Sequence, residues 1–179
     1  MNIIKNLKFT KIVLLLFVIV QCKETEAFRK TVLGVDIDRF MGKWYVIASR
    51  PTSFEENAFN AIEIYTYNRE KDQIDIDFSF NKGSNTGTKK SIPQTAYIID
   101  KKNNSYWKVS PFWPLKFDYL IIDLDTNYRW TVIGVPDQTY LWIMARTPTL
   151  SEAEFKEIIS RVDEMGYDSK NLVKVINSF

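Results

Sequence analysis

Residues 74–80 read Ile74-Asp75-Ile76-Asp77-Phe78-Ser79-Phe80, an unbroken alternation of apolar and polar side chains. Successive side chains of a strand point to opposite faces, so this stretch is a β-strand with one dry and one wet face. Similar segments lie on both sides of it. Upstream are Lys43 to Arg50 and Phe59 to Tyr67, the second ending in the polar turn Asn68-Arg69-Glu70-Lys71-Asp72. Downstream are Ser91 to Asp100, Ser105 to Ser110, Phe117 to Asp125, Tyr128 to Val135 and Thr139 to Arg146. The breaks are turn-formers: Asn81 to Gly87 with two glycines, Lys101-Lys102-Asn103-Asn104, and the tight hairpin Pro136-Asp137-Gln138.

One helix follows the strands. Ser151 and Glu154 have the spacing of a capping box, and Leu150 and Phe155 that of the hydrophobic staple across it. Phe155, Ile158, Ile159, Val162 and Met165 recur at helical spacing, and Gly166 supplies the stop. Asn171 to Ile176 reads as a last short strand. The pattern predicts an all-β fold: an eight-stranded antiparallel up-and-down β-barrel with one C-terminal α-helix packed outside. Closure removes the exposed edges of a flat sheet, and a barrel of this size can hold one small ligand.

The 179 residues suffice for one domain with a substantial core. Aromatic residues make up 15%, including 5 Trp and 12 Phe, which need a large core or a cavity to line. The chain has no histidine, which removes Ser–His and Cys–His catalytic pairs, histidine-ligated haem and most zinc sites. No cofactor or metal is expected. The formal charge of +2 comes from the start of the chain, where Lys5, Lys8 and Lys11 stand without an acid among the first 21 residues. Without them, 21 basic residues face 22 acidic ones, and the absence of a basic stripe argues against nucleic-acid binding.

Those lysines precede Ile12 to Val20, nine consecutive apolar residues. A basic start and a short apolar run read as a signal peptide, and the run is shorter than the roughly 20 residues of a membrane span. Ile19-Val20-Gln21-Cys22 resembles the lipobox at which bacterial lipoproteins are cleaved and acylated, with Gln21 where Gly, Ala or Ser is usual. Cys22 is the only cysteine, so it has no internal disulfide partner. The expected division is residues 1–21 as lipoprotein signal peptide, 22–33 as lipidated Cys22 and tether, and 34–179 as the barrel domain. Lys23, rather than aspartate, follows the cysteine; by analogy with lipoprotein sorting this implies lipid anchoring in the outer membrane of a bacterial cell.

Three further segments carry a family resemblance. Gly42-Lys43-Trp44 resembles the Gly-x-Trp opening of the lipocalins, Phe117 to Asp125 their second motif, and Leu141-Trp142-Ile143-Met144-Ala145-Arg146-Thr147-Pro148 their third. Their order and spacing match, the capped helix follows the third, and the resemblance covers about residues 34–177. Together with the leader, it is closest to the bacterial outer-membrane lipoprotein lipocalins. Leu124-Asp125 departs from the Thr-Asp-Tyr of many members, and the disulfides of many animal members are absent. The resemblance implies structural roles for Gly42, Trp44 and Arg146, with Trp44 plugging the closed end and the Arg146 guanidinium stacked on its indole. Gly42 leaves the backbone room to enter the barrel tightly.

If Trp44 and Arg146 point inward, period two turns Val46, Ala48, Tyr140, Trp142 and Met144 inward as well. The strand at 74–80 contributes Ile74, Ile76, Phe78 and Phe80. Alignment with the family adds Ala61, Tyr65, Ala96, Ile98, Trp107, Val109 and Tyr119. The expected ligand-binding residues are therefore Tyr65, Ile76, Phe78, Ala96, Ile98, Trp107, Val109, Tyr119, Tyr140, Trp142 and Met144. Glu63 and Arg129 either point inward near the open end or, the reading preferred, reach solvent at its rim. Such side chains fill a core as readily as they line a cavity; the expectation of a cavity comes from the resemblance.

The function implied is a membrane-anchored carrier or scavenger of a hydrophobic small molecule, a fatty acid or lysophospholipid, with no catalysis. Its partners would be that ligand and the membrane, with a homodimer left open. The alternatives are a surface adhesin or sequestering protein, and an enzyme on the same scaffold. Asp75 and Asp77 point outward as a solvated face, so an enzyme would have to use other carboxylates or tyrosines.

Overall fold

The computed structural model describes residues 30–53 and 55–178. The signal peptide, Cys22 and the first part of the tether lie outside the described residues. The chain forms α1 (Ile37–Phe40), β1 (Gly42–Arg50), β2 (Ala58–Asn68), β3 (Gln73–Lys82), β4 (Thr88–Ile98), β5 (Tyr106–Ser110), β6 (Phe117–Leu124), β7 (Trp130–Gly134), β8 (Leu141–Ala145), α2 (Glu152–Glu164), a 3-10 turn and β9 (Val173–Lys174). Every neighbouring pair is antiparallel, and β1 pairs with both β2 and β8, which closes eight strands into a barrel. The predicted fold class is the observed one. The β3–β4 hairpin is longer than the alternation suggested, because Lys82 and Thr88 still pair.

Strand direction defines two ends. The turns after β2, β4 and β6 lie at one end together with α1. The turns after β1, β3, β5 and β7 form the other end, the mouth. Asp36 caps α1 by accepting from the Arg39 amide, a single turn that the sequence pattern did not reveal. Its Phe40 is fully buried and closes the barrel from below.

Two apolar cores share the sheet. The inner one fills the barrel around Trp44, Ile74, Trp107, Ile121 and Ile133. The outer one lies under α2, where Ile158, Val162 and Tyr167 meet Leu120, Val132, Leu141 and Ile143. The capping box of α2 forms as read, with Ser151 and Glu154 bonded reciprocally. Arg161 holds the helix to β6 with two bonds to Asp123, at 2.6 and 2.7 Å. Gly134 allows Tyr167 to lie flat on β7: a Cβ there would fall 2.5 Å from the Tyr167 hydroxyl.

Simple alternation fails at two bulges. In β1 the register shifts between Val46 and Ala48, so Ala48 pairs with Ile143 and turns outward under the helix. The expectation of an inward Ala48 is corrected; Ser49, opposite Trp142, takes its place on the inner face. A second shift, between Ile121 and Asp123, leaves Asp123 outward and within reach of Arg161. Both bulges let one strand serve the inner core with one half and the helix with the other.

Trp44 has no exposed surface, and its indole N–H donates to the Phe40 carbonyl at 2.8 Å. The Arg146 guanidinium lies 3.7 Å from the Trp44 ring centroid and donates to the carbonyls of Lys43, Arg39 and Phe40. Gly42 has a φ of +93°, which explains a glycine at that position. Trp44→Ala should lower the free energy of unfolding by about 3–5 kcal/mol, the range for deleting a buried large aromatic. Urea denaturation checks this, and an unchanged midpoint would show that Trp44 is not the plug described.

Candidate functional site

The inner face is built from cross-strand partners. Trp44 opposes Glu63, Glu63 opposes Phe78, and Tyr65 opposes Ile76. Ile74 opposes Ala96, Ala96 opposes Val109, Ile98 opposes Trp107, and Trp107 opposes Tyr119. Met144 faces Thr131 and Val46, and Trp142 faces Ile133 and Ser49. Directly opposed residues share a face, so these side chains converge on one interior.

That interior has two levels. The closed end is an aromatic floor in which Phe40 meets Trp44, Tyr65 and Trp107 at 5.1–5.6 Å, and Trp107 stacks on Tyr119 at 5.2 Å. The Trp107 N–H is taken by the carbonyl of Asn104. Tyr65, Ala96, Trp107 and Met144 have at most 1% of their surface accessible, so they are packed into this floor and its walls. Val109, Tyr119 and Glu63 point inward yet each keep 8% accessible, which requires water-sized space beside them. Toward the mouth, Trp142 is half-buried and Tyr140, 37% exposed, stacks on it at 5.9 Å. Tyr140 therefore lies at the entrance, beyond the end of β8.

The expectation for Glu63 is overturned. It faces the interior beneath the mouth, not solvent at the rim. The Tyr65 hydroxyl donates to its Oε2, and the Tyr65 and Tyr119 hydroxyls are 2.7 Å apart. Burial pushes the Glu63 carboxyl up to about 7, the Tyr65 bond offsets part of the rise, and the charge of Glu55 adds to it. Period two carried this signal: with Ala61 and Tyr65 inward, Glu63 between them must be inward too. Arg129 does reach solvent, but at the closed end, paired with Asp125 and Glu154 on the outside.

A second carboxyl stands nearer the mouth. Glu55 accepts from the Thr52 amide and hydroxyl and from the Trp142 indole N–H. Burial raises its pKa, and these three donors work against that rise. Trp142, expected only to face inward, is thus fixed at the entrance by an acid that sequence reading did not single out.

The wall is incomplete on one side. β5 pairs with β4 only from Thr95 to Ile98, which leaves Thr88 to Gln94 bonded to β3 alone. A groove of about 610 Å³ lies there, between the outward Asp75, Asp77 and Tyr97 and the loop carrying Phe112 and Trp113. Trp113 is 88% exposed. Ile76 and Gln94, which have inward register, also border this groove.

A closed barrel with a packed floor, a greasy upper interior and an aromatic entrance defines a binder of small hydrophobic molecules. Residues 35–177 match the lipocalin-like domain family, and the chain belongs to that family. It is 32% identical over 158 residues to temperature-induced lipocalin-1 of Arabidopsis thaliana, covering 83% of each chain. It is 30% identical over 163 residues to the outer membrane lipoprotein Blc of Escherichia coli K12, covering 89% of this chain and 90% of that one. Insecticyanin from the tobacco hornworm Manduca sexta shares the fold at a TM-score of 0.61 and 19% identity, covering 84% of each chain.

Glu63 gives the barrel a pH dependence of definite sign. Its folded pKa, about 7, lies above the ordinary 4.5, so the folded state holds the extra proton between these values and stability falls as pH rises through that window. At about 1.4 kcal/mol per pH unit the loss is about 3 kcal/mol, complete above about pH 7. Urea midpoints across this range should show a loss in the native protein that Glu63→Gln removes. Identical pH profiles for the two would contradict the buried carboxyl.

Proposed function

We propose that the protein is a membrane-anchored lipocalin that carries or scavenges a single-chain lipid, a fatty acid or lysophospholipid, in the upper half of its barrel, without catalysis. The observation that carries this reading is the apolar inner face above the floor. There Phe78 and Val109 retain accessible surface below the Trp142–Tyr140 entrance. Burying about a dozen methylenes contributes roughly 10 kcal/mol gross at ~0.8 kcal/mol each. Association costs about 4–15 kcal/mol, so chain burial by itself leaves at most about 6 kcal/mol, a Kd of roughly tens of micromolar, and tighter binding has to come from the head group. The outer-membrane position is carried over from the Blc lipoproteins of Escherichia coli and Vibrio cholerae, each 30% identical to this chain.

Titration of the purified protein with fatty acid or lysophospholipid should change tryptophan fluorescence saturably, because Trp142 stands at the entrance. Phe78→Glu and Met144→Glu put a carboxyl on the inner face and should weaken binding at least about tenfold. Asp77→Lys, on the outer face of the same strand as Phe78, should leave affinity unchanged. No saturable signal, together with no lipid in native extracts, would leave a filled barrel with an adhesive or structural role.

The anchor is tested separately. Cys22 should be the first residue of the mature protein and carry acyl chains, since stable anchoring takes two or more. Mass spectrometry of membrane-extracted protein reads this directly, and an unmodified N-terminus downstream of Cys22 would refute it.

A further inference from the structure

Glu63 is an unusual residue to place in a greasy barrel, and the geometry shows what it is free to do. Its Oε2 is taken by the Tyr65 hydroxyl. Its Oε1 has no hydrogen-bond partner among the described residues. Glu63 is 8% exposed although it faces inward between Trp44 and Phe78. One oxygen therefore looks into the space where a ligand chain would lie. The titratable groups around it are Tyr65 on its own strand, Tyr119 on β6 and Glu55 in the β1–β2 connection. None of them is a cation. The half-buried guanidinium of Arg146 is committed to Trp44 and to backbone carbonyls beneath the floor.

Cationic side chains with inward register occur instead at the mouth. Lys90 opposes the inward Phe80, and Lys82 opposes Thr88 at the end of the same hairpin; both are exposed. An anionic group entering the barrel thus finds Lys82 and Lys90 at the mouth, where the Glu55 carboxyl is already engaged by Thr52 and Trp142, and below them the Glu63 carboxyl with two phenols. A carboxylate beside an ionised carboxylate in a dry cavity is strongly disfavoured, whereas a hydroxyl or ammonium group satisfies Oε1.

Resting on the carrier reading above, we propose that Glu63, backed by Tyr65 and Tyr119, is an internal binding site for a hydrogen-bond donor on the lipid, a hydroxyl or an ammonium group, and that it keeps a carboxylate head out of the inner barrel. A fatty acid then binds tail-down with its head beside Lys82 and Lys90. A long-chain alcohol or amine binds with its polar end on Glu63. Ionisation of Glu63 strengthens the amine complex and weakens any inverted carboxylate.

The test uses three probes of one chain length, dodecanol, dodecylamine and dodecanoate, titrated into the full chain from about pH 6 to about pH 8.5, a range over which the probes' own charges stay fixed. The ratio of amine to dodecanoate affinity should rise roughly tenfold across it, the effect of about one pH unit of linkage. In E63Q that rise should vanish while dodecanol still saturates, which shows an intact cavity. A second readout needs no variant: near pH 7 in weak buffer, dodecylamine should release protons on binding. If dodecanol saturates but the ratio rises equally in E63Q, or dodecylamine releases no protons, the Glu63 site is refuted and the carrier reading stands. If dodecanol fails to saturate the native protein, the carrier reading falls and this site falls with it.

Discussion

The guanidinium of Arg146 stacks on the indole of Trp44 and, in the same plane, donates to carbonyls of α1 and β1. Three separate pieces of chain, the one-turn helix, the first strand and the end of the last barrel strand, are thereby tied at one point. Burial lowers the Arg146 pKa to about 10, so the side chain stays cationic at neutral pH and its charge is met by peptide oxygens and a ring face. Everything above rests on this tie. Phe40 is seated by it, Trp107 and Tyr65 pack on Phe40, and Tyr119 stacks on Trp107. The floor is a single connected aromatic body, and the ligand space begins where it ends.

A rigid floor also explains how a carboxyl can be kept inside. Glu63 sits at the upper surface of that body, with one oxygen held by a tyrosine that is itself wedged against Phe40 and Trp107. Tyr65 and Tyr119 stay neutral, because burial pushes both phenols up from their ordinary value. The polar group is held in place by apolar packing, so its position does not depend on a bound ligand.

Much of this was legible in the chain. Strict alternation at 74–80 located a wall strand with its faces correctly assigned, and the capping box placed α2. The Gly42, Trp44 and Arg146 roles followed from spacing and family resemblance together. What escaped had local causes. Ala48 lies beyond a bulge, and an extra residue inverts parity without any mark in composition. Asp36 to Phe40 makes a single turn, too short for periodicity to register. Glu63 was legible by parity but was discounted because acids are rarely buried. Tyr65 and Tyr119, which make its burial tolerable, are brought to it from two different strands, and only the folded barrel joins them.

The first barrel strand is completed by the last segments of the chain. β1 bonds to β2 only through Tyr45; beyond that its two flanks are taken by β8 and by β9. The Asn177 amide reaches back to the Val46 and Pro148 carbonyls, and the Asn60 amide donates to Ile176. As the chain emerges in order, residues 46–50 have one edge bare until β8 arrives and the other until β9 does. Ring closure joins Tyr45 to Ala145, the pairing of greatest sequence separation among the eight barrel strands and so the one with the largest loop-closure cost. β9 then covers the other edge of β1 from outside the ring, so a barrel already closed through β8 leaves residues 47–49 open to a competing strand wherever β9 peels away.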